Sequence, residues 1–564
     1  MNIIKSVLAA FLLFLSSGVI AQPQVDAMKL LEMKQYSKAK SEFLKKLNDG
    51  NSANDLFYLG KIYSQQHKTD SAKIYFSKIS TSDPKSPLTL VAQAIMEIST
   101  GNNNQALSLL DKASRMAVSS KDINALVEIA LTRYQAGDTS GWAVPMSLAI
   151  GIDPKNTKAY IESGEIYQAL GDTYKKQNYF LGFASGRYEQ ALYNDPENLE
   201  ALTAQAGIFV IGGNYREATE YLNRVMSIDS NYIPALSLYG ELAYTLGKYD
   251  KASLFYKRYM ALAEYSEKEL SRFITILYFN KEYAEANQQI TPVLLKDPDN
   301  EVMLRLKGYT AYELGKYPEG LDAMKKFFDL RSSSDTNKII PSDYEYIGRL
   351  YSRTGNDSLA VLYLNKAVEA DISRNGLYEE IARVYEKQKK YLQAIEYYNK
   401  YSKARNGDVA PAIFFSIGKD LLLVVKDVTA TADSVNKTIY LQRADTAFGK
   451  VIALSPDSHL GYLWHARVLA ALDPETTLGL AKSDYEKALT IIEQKSDLAK
   501  YKSDLIEGYR YLGYFYYLQY DAAKEIKDVN AVSQAKTDAL KYWQKVLDIE
   551  PDNDIARQAI GAIK

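Results

Sequence analysis

The sequence predicts an all-α fold, a solenoid of helix–turn–helix units, on three observations. Aromatic and small residues recur with a fixed 34-residue period. Within each period apolar residues fall at the spacings of one helix stripe. Proline and asparagine mark the places where one helix stops and the next begins.

The period is read from four short phrases, GNYREA, GKYDKA, NKEYAEA and GKYPEG, whose tyrosines are Tyr215, Tyr249, Tyr283 and Tyr317, each 34 residues after the last. Three residues beyond each stands a small residue, Ala218, Ala252, Ala286 or Gly320. Thirty-four residues are enough for a helix, a turn, a second helix and a connector. The stripe is clearest in YRYLGYFYYLQY, where Tyr509, Leu512, Gly513 and Tyr516 share one helix face. The small residue in its middle leaves room for a partner helix. Pro84, Pro154, Pro196 and Pro298 push the residue before them out of helix. Asn156, Asn198 and Asn300 then stand where a side-chain oxygen can cap the next helix.

These residues resemble the tetratricopeptide repeat, whose pattern is W-x2-L-G-x2-Y, then A-x3-F, then proline. The best copy is Leu56, Leu59, Gly60, Tyr63, Ala72, Phe76 and Pro84. Others are Tyr344, Ile347, Gly348, Tyr351 and Ala360; Tyr378, Ile381, Ala382, Tyr385 and Ala394; and Tyr509 to Tyr516 completed by Ala539, Trp543 and Pro551. Following the register gives about fourteen repeats, several of them degenerate. The resemblance implies a right-handed superhelical solenoid whose first helices line a concave groove. About eleven repeats are expected in 22–410, C-terminal repeats with longer interhelix insertions in 411–553, and a closing helix in 554–564. The insertions, around KDVTATADSVNKT and DAAKEIKDVNAVSQAK, are expected to project from one edge. The unit holding Gly164 and Ala184 also runs eight residues over the period.

One step along the first helix lies a second stripe, which the resemblance points into the groove. It comprises Arg510, Tyr514 and Tyr517; Arg305, Tyr309 and Tyr312; Glu345, Arg349 and Ser352; and Glu379, Arg383 and Glu386. Rings beside arginine are what interface hot spots use. For any one of these residues, packing against a neighbouring repeat competes with that reading.

Residues 1–21 read as a secretory signal: Lys5, the apolar run Val7 to Leu15, and Val19 and Ala21 before a cleavage point at Gln22. Nine apolar residues fall short of the ~20 that span a bilayer. A periplasmic or extracellular location is expected, and an alanine followed by glutamine, with much Tyr, Lys and Asn, is similar to secreted repeat proteins of the Bacteroidetes. With 68 Lys and Arg against 69 Asp and Glu, no net field draws the chain to nucleic acid. The chain has no cysteine, which removes thiolate chemistry, and none of its three histidines has zinc-helix spacing. GFASG at Gly182 to Gly186 misplaces its serine for a nucleophile elbow. The expectation is no enzyme, no metal and no cofactor. The protein is expected to be an interaction scaffold of the cell envelope that holds a protein segment within an assembly, secretion or regulatory complex. A tyrosine-lined glycan or cell-wall binder is the alternative. A peripheral association with the outer membrane and the oligomeric state stay open.

Overall fold

A computed structural model describes residues 26–50, 52–332, 339–427 and 434–563. The signal segment 1–21 lies outside them. The described residues form 29 α-helices and two short 3-10 turns, with no strand among them. The chain divides into two units, one ending at Gln289 and one beginning at Ile290.

In the first unit the regular repeat is plainest at Leu199–Ile211 with Tyr215–Ile228, and Ile233–Thr245 with Tyr249–Leu262, pairs of 13 and 14 residues. The turn between the paired helices needs one residue at positive φ, two places before the second helix. Glycine fills it at Gly213 and Gly247, but Lys34, His67 and Lys281 occupy the same slot at φ 56, 57 and 61°. Side-chain caps sit where the sequence places them: Asn156 accepts from the Ala159 amide at 2.9 Å and Asn198 from Ala201 at 3.0 Å. The oversized unit spends its extra residues as one more turn on each helix, Thr157–Tyr174 and Gln177–Asn194, both 18 residues long. Gly60 lies so close to the Phe76 ring that a Cβ there would collide with it.

The first unit also holds a long-range tie. Gln35 Nε2 donates to the Leu262 carbonyl at 2.8 Å, and Ser37 donates its amide and hydroxyl to the Glu264 carboxylate at 2.7 and 3.0 Å. Residues 227 apart in sequence are thereby joined.

In the second unit Asn300 caps Glu301–Glu313 by accepting from the Met303 amide at 3.1 Å. The turn slot is glycine at Gly315 and Gly355 and lysine at Lys389 and Lys527. The expected interhelix insertions are corrected here. DAAKEIKDVNAVSQAK does not bulge between the helices but extends them, as Lys502–Glu525 and Val529–Ile549, 24 and 21 residues long. The reason is that the apolar stripe runs on: Tyr520 and Ala523 are buried on one helix and Ala535 and Ala539 on the other. Pro411–Asp427 and Ser434–Leu454 are lengthened likewise, residues 428–433 of that insertion lying outside the described ones. Tyr509 and Leu512 are buried, and a Cβ on Gly513 would lie 2.8 Å from the Trp543 indole. The final helix, Asp554–Ile563, buries Ala556 and Ile563.

Candidate partner-binding faces

Most of the second stripe is consumed by its own neighbours in the second unit. Arg305 forks onto the buried Asp343 with bonds of 2.7 and 2.8 Å, and Tyr309 donates its hydroxyl to the same carboxylate at 2.6 Å. Tyr309 is buried and stacks on Tyr346 with centroids 4.1 Å apart, while Tyr312 meets that ring edge-on. Asp343 also accepts from the Ile340 amide, so one carboxylate starts its own helix and locks it to the previous pair. Arg349 forks onto Glu380 at 2.9 and 2.5 Å and pairs with Glu345, which Arg374 also holds. Arg383 is spent on Glu379, four residues before it. Glu386 accepts from Tyr398 at 3.0 Å and faces Asp420. Asp420 is buried with Oδ2 unbonded; burial first, and then the Glu386 charge, raises its pKa to about 8. Tyr312, Arg349, Ser352 and Arg383 do share the wall of an open cavity of about 590 Å³.

The last stripe differs. Arg510 is exposed and has no ion pair among the described residues. Tyr514 is 41% exposed, and Tyr517 is half-buried with its hydroxyl tied to Asp521. Arg510 and Tyr514 line an open cleft of about 960 Å³ with Tyr511, Lys502, Ile506 and Trp543. Glu507 also faces it, but Arg467 binds that carboxylate with two bonds of 2.9 and 2.7 Å. The cleft is therefore walled by rings and rimmed by unspent positive charge. Tyr517 is not among its lining residues.

The first unit carries a group that the stripe reasoning did not single out. Glu200 lies close enough to Glu32, Glu162 and Glu165 to feel the charge of each, and Glu162 feels that of Glu165. Burial, then repulsion from Glu32, Glu162 and Glu165, pushes Glu200 up to about 8. Burial and Glu165 push Glu162 up to about 7. Beside them Glu128, almost wholly buried, accepts from Lys61 at 2.6 Å and from Tyr58 at 3.1 Å, and Lys158 donates to Tyr58 at 3.1 Å. Burial would raise Glu128, but the Lys61 and Lys158 charges outweigh it and hold it low. A signal for the cluster was present: Glu165 follows Gly164 as Tyr514 follows Gly513.

Of the histidines, His67 sits in its interhelix turn. His465 bridges three helices, with Nδ1 2.8 Å from Asp484 and Nε2 2.7 Å from Asp445. No group of three or more metal-ligating side chains occurs among the described residues, and no helix among them is long and apolar enough to cross a membrane.

Paired helices stacked in register, with a small residue at each crossing, define the class as an α-solenoid of helix hairpins. The tetratricopeptide-repeat family model matches residues 376–408, the copy with Tyr378, Ile381, Ala382, Tyr385 and Ala394. That match covers one helix pair of the array, 33 of the 564 residues. Among solved structures, the C-terminal part of a TPR repeat-containing protein from Cytophaga hutchinsonii is 28% identical over 51% of this chain and 99% of its own, with a TM-score of 0.38. A tetratricopeptide repeat protein from Parabacteroides merdae is 15% identical over 53% of this chain and 99% of its own, TM-score 0.26. Yeast Tom70 is 13% identical over 73% and 97%, TM-score 0.28. No curated protein matches the chain.

Proposed function

We infer that this repeat protein is a non-catalytic scaffold that holds a segment of a partner protein beside Arg510 and Tyr514, within an assembly of the bacterial envelope. Repeats of this family build protein-interaction scaffolds. One observation carries the choice of site. Arg305, Arg349 and Arg383 are spent on Asp343, Glu380 and Glu379, whereas Arg510 has no ion pair among the described residues and stands beside the exposed Tyr514 over a cleft. An unpaired guanidinium next to tyrosine suits a segment with a carboxylate and an apolar or aromatic side chain. The envelope setting rests on the export pattern in residues 1–21.

The test is affinity capture from an envelope fraction by the wild type and by an Arg510→Ala, Tyr514→Ala variant, with helix content checked. Loss of a specific protein by the folded variant supports the reading. Equal capture by both would remove the cleft as the site, and retention on cell-wall fragments alone would favour a glycan instead.

A further inference from the structure

The lengthened helix Gln177–Asn194 exposes a stripe of rings and glycines. Tyr179 is 63% exposed and Phe183 46%, and both belong to one ring cluster with Phe180 and Tyr167. Contiguous exposed rings mark a surface made for a partner. Between and beyond them on the same face lie Gly182 and Gly186, the two glycines of GFASG. A Cβ at either position would have nothing within 4 Å. Packing within the described residues therefore does not require these glycines, although glycine is a poorer helix former than alanine. Gly164, on the adjacent helix, is different: a Cβ there would strike the Tyr188 ring.

The charges at the two ends of the stripe are of opposite sign. Lys176 precedes the helix and Glu189 lies towards its end, both exposed and neither in an ion pair among the described residues. Glu189 accepts only a long bond of 3.5 Å from Ser185. Opposite charges at the two ends make the stripe complementary to itself when reversed.

We propose that this face pairs with the same face of a second copy of the chain, antiparallel, about a two-fold axis passing between Gly182 and Phe183. In that register each Phe183 meets the second copy's Gly182, each Tyr179 meets its Gly186, and each Lys176 meets its Glu189. A ring enters a gap at every level, and missing side chains let the two backbones approach closely. Such an isologous contact satisfies both copies at once. A parallel arrangement would set lysine against lysine and ring against ring. With one helix face per copy the interface is small, so association belongs in the micromolar range.

Sedimentation of the full chain over a concentration series tests this. Wild type is expected to dimerise reversibly. Lys176→Glu and Glu189→Lys should each weaken the dimer by about tenfold, and the double exchange should restore it, because the pair is re-formed with its signs reversed. Gly186→Leu should weaken it at least as much while leaving helix content and melting temperature no lower, since leucine is the better helix former and meets open space. The chain has no cysteine, so single thiols report the register. Gly182→Cys, next to the axis, should oxidise to a covalent dimer, and Gln190→Cys, two turns away on the same helix, should not. A wild type that stays monomeric, a double charge exchange as weak as either single one, or equal cross-linking at both positions would overturn the proposal. So would a monomer that uses this face to bind lipid vesicles or glycan.

Discussion

Lys281 and Lys389 hold a backbone conformation that a side chain resists, at φ 61 and 58°, in a slot that Gly247 and Gly315 fill without strain. Lys281→Gly is expected to raise stability by up to ~1 kcal/mol, and Gly247→Ala to lower it by at least that, both read as shifts of the urea midpoint at constant slope. A second pair of substitutions separates packing from surface. Gly513→Leu drives a side chain into Trp543 and should cost about 1–3 kcal/mol, whereas Tyr514→Ala, on an exposed ring, should leave the melting temperature nearly unchanged. Equal losses from both would mean the two stripes are assigned the wrong way round. At this scale the sequence was most readable where spacing alone decides burial, as at Tyr509, Leu512 and Gly513. It could not show that Arg305 and Tyr309 are occupied. Their partner Asp343 lies 38 residues from Arg305, one pair further on, and an acidic residue in a helix's first turn looks like an ordinary solvated one.

Helix pairs are joined to one another by such carboxylates, but not every paired carboxylate is a joint. Asp343 is fully buried under Arg305, Tyr309 and the Ile340 amide. Asp343→Ala removes the carboxylate on which all three converge and should cost about 3–5 kcal/mol. Glu379, by contrast, pairs with the exposed Arg383 four residues on in the same helix and joins no two helices, so Glu379→Ala should cost under about 1 kcal/mol. Chemical denaturation of the two variants side by side checks the contrast; similar losses would show that the buried joint has no special weight. Element lengths were harder to foresee than element existence. The 34-residue register reveals surplus residues but not where they go, and DAAKEIKDVNAVSQAK has a polar look that suits a loop. What makes it helix is the pairing of Tyr520 and Ala523 with the opposite helix, a tertiary effect that single-chain periodicity understates.

Across the two units the displaced carboxylates of the described residues form two groups: Glu32, Glu162, Glu165, Glu200 and Asp420 are raised and act as pH rises above 5, opposed there only by the lowered His459, whereas Glu128, Glu269, Glu282, Asp371 and Glu493 are lowered and act in acid. Glu200 at about 8, Glu162 at about 7 and Asp420 at about 8 hold protons in the folded state that the unfolded chain releases near 4.5 or 3.8. His465 adds to this. Burial would depress it, but its bonds to Asp484 and Asp445 outweigh burial and raise it above 6.5. A raised folded pKa contributes stability that is present below the unfolded value and lost as pH rises through the folded one. Stability should therefore fall from about pH 5 to pH 8. Glu282, held near 2 by Lys257, Ser253 and Asn280 against the opposing effect of burial, acts the other way, its contribution being lost only in strong acid. Melting temperatures across this range check the sign, and Glu200→Gln should flatten the slope; a melting temperature rising from pH 5 to 8 would refute it.

The bonds from Gln35 to Leu262 and from Ser37 to Glu264 change how the first unit can come apart. In an ordinary repeat array each unit touches only its neighbours, so contact order is low and unfolding is a one-dimensional process that starts at whichever end is weakest. A tie across 227 residues turns that line into a cycle. A cycle has no terminus from which to fray: the helix Tyr36–Asp49 gives up its amides to exchange only when the loop opens, and reclosing it costs the entropy of a long loop. Cutting the tie with Gln35→Ala and Glu264→Ala should release exchange in that helix by orders of magnitude while Leu199–Ile211, far from both ends, keeps its protection.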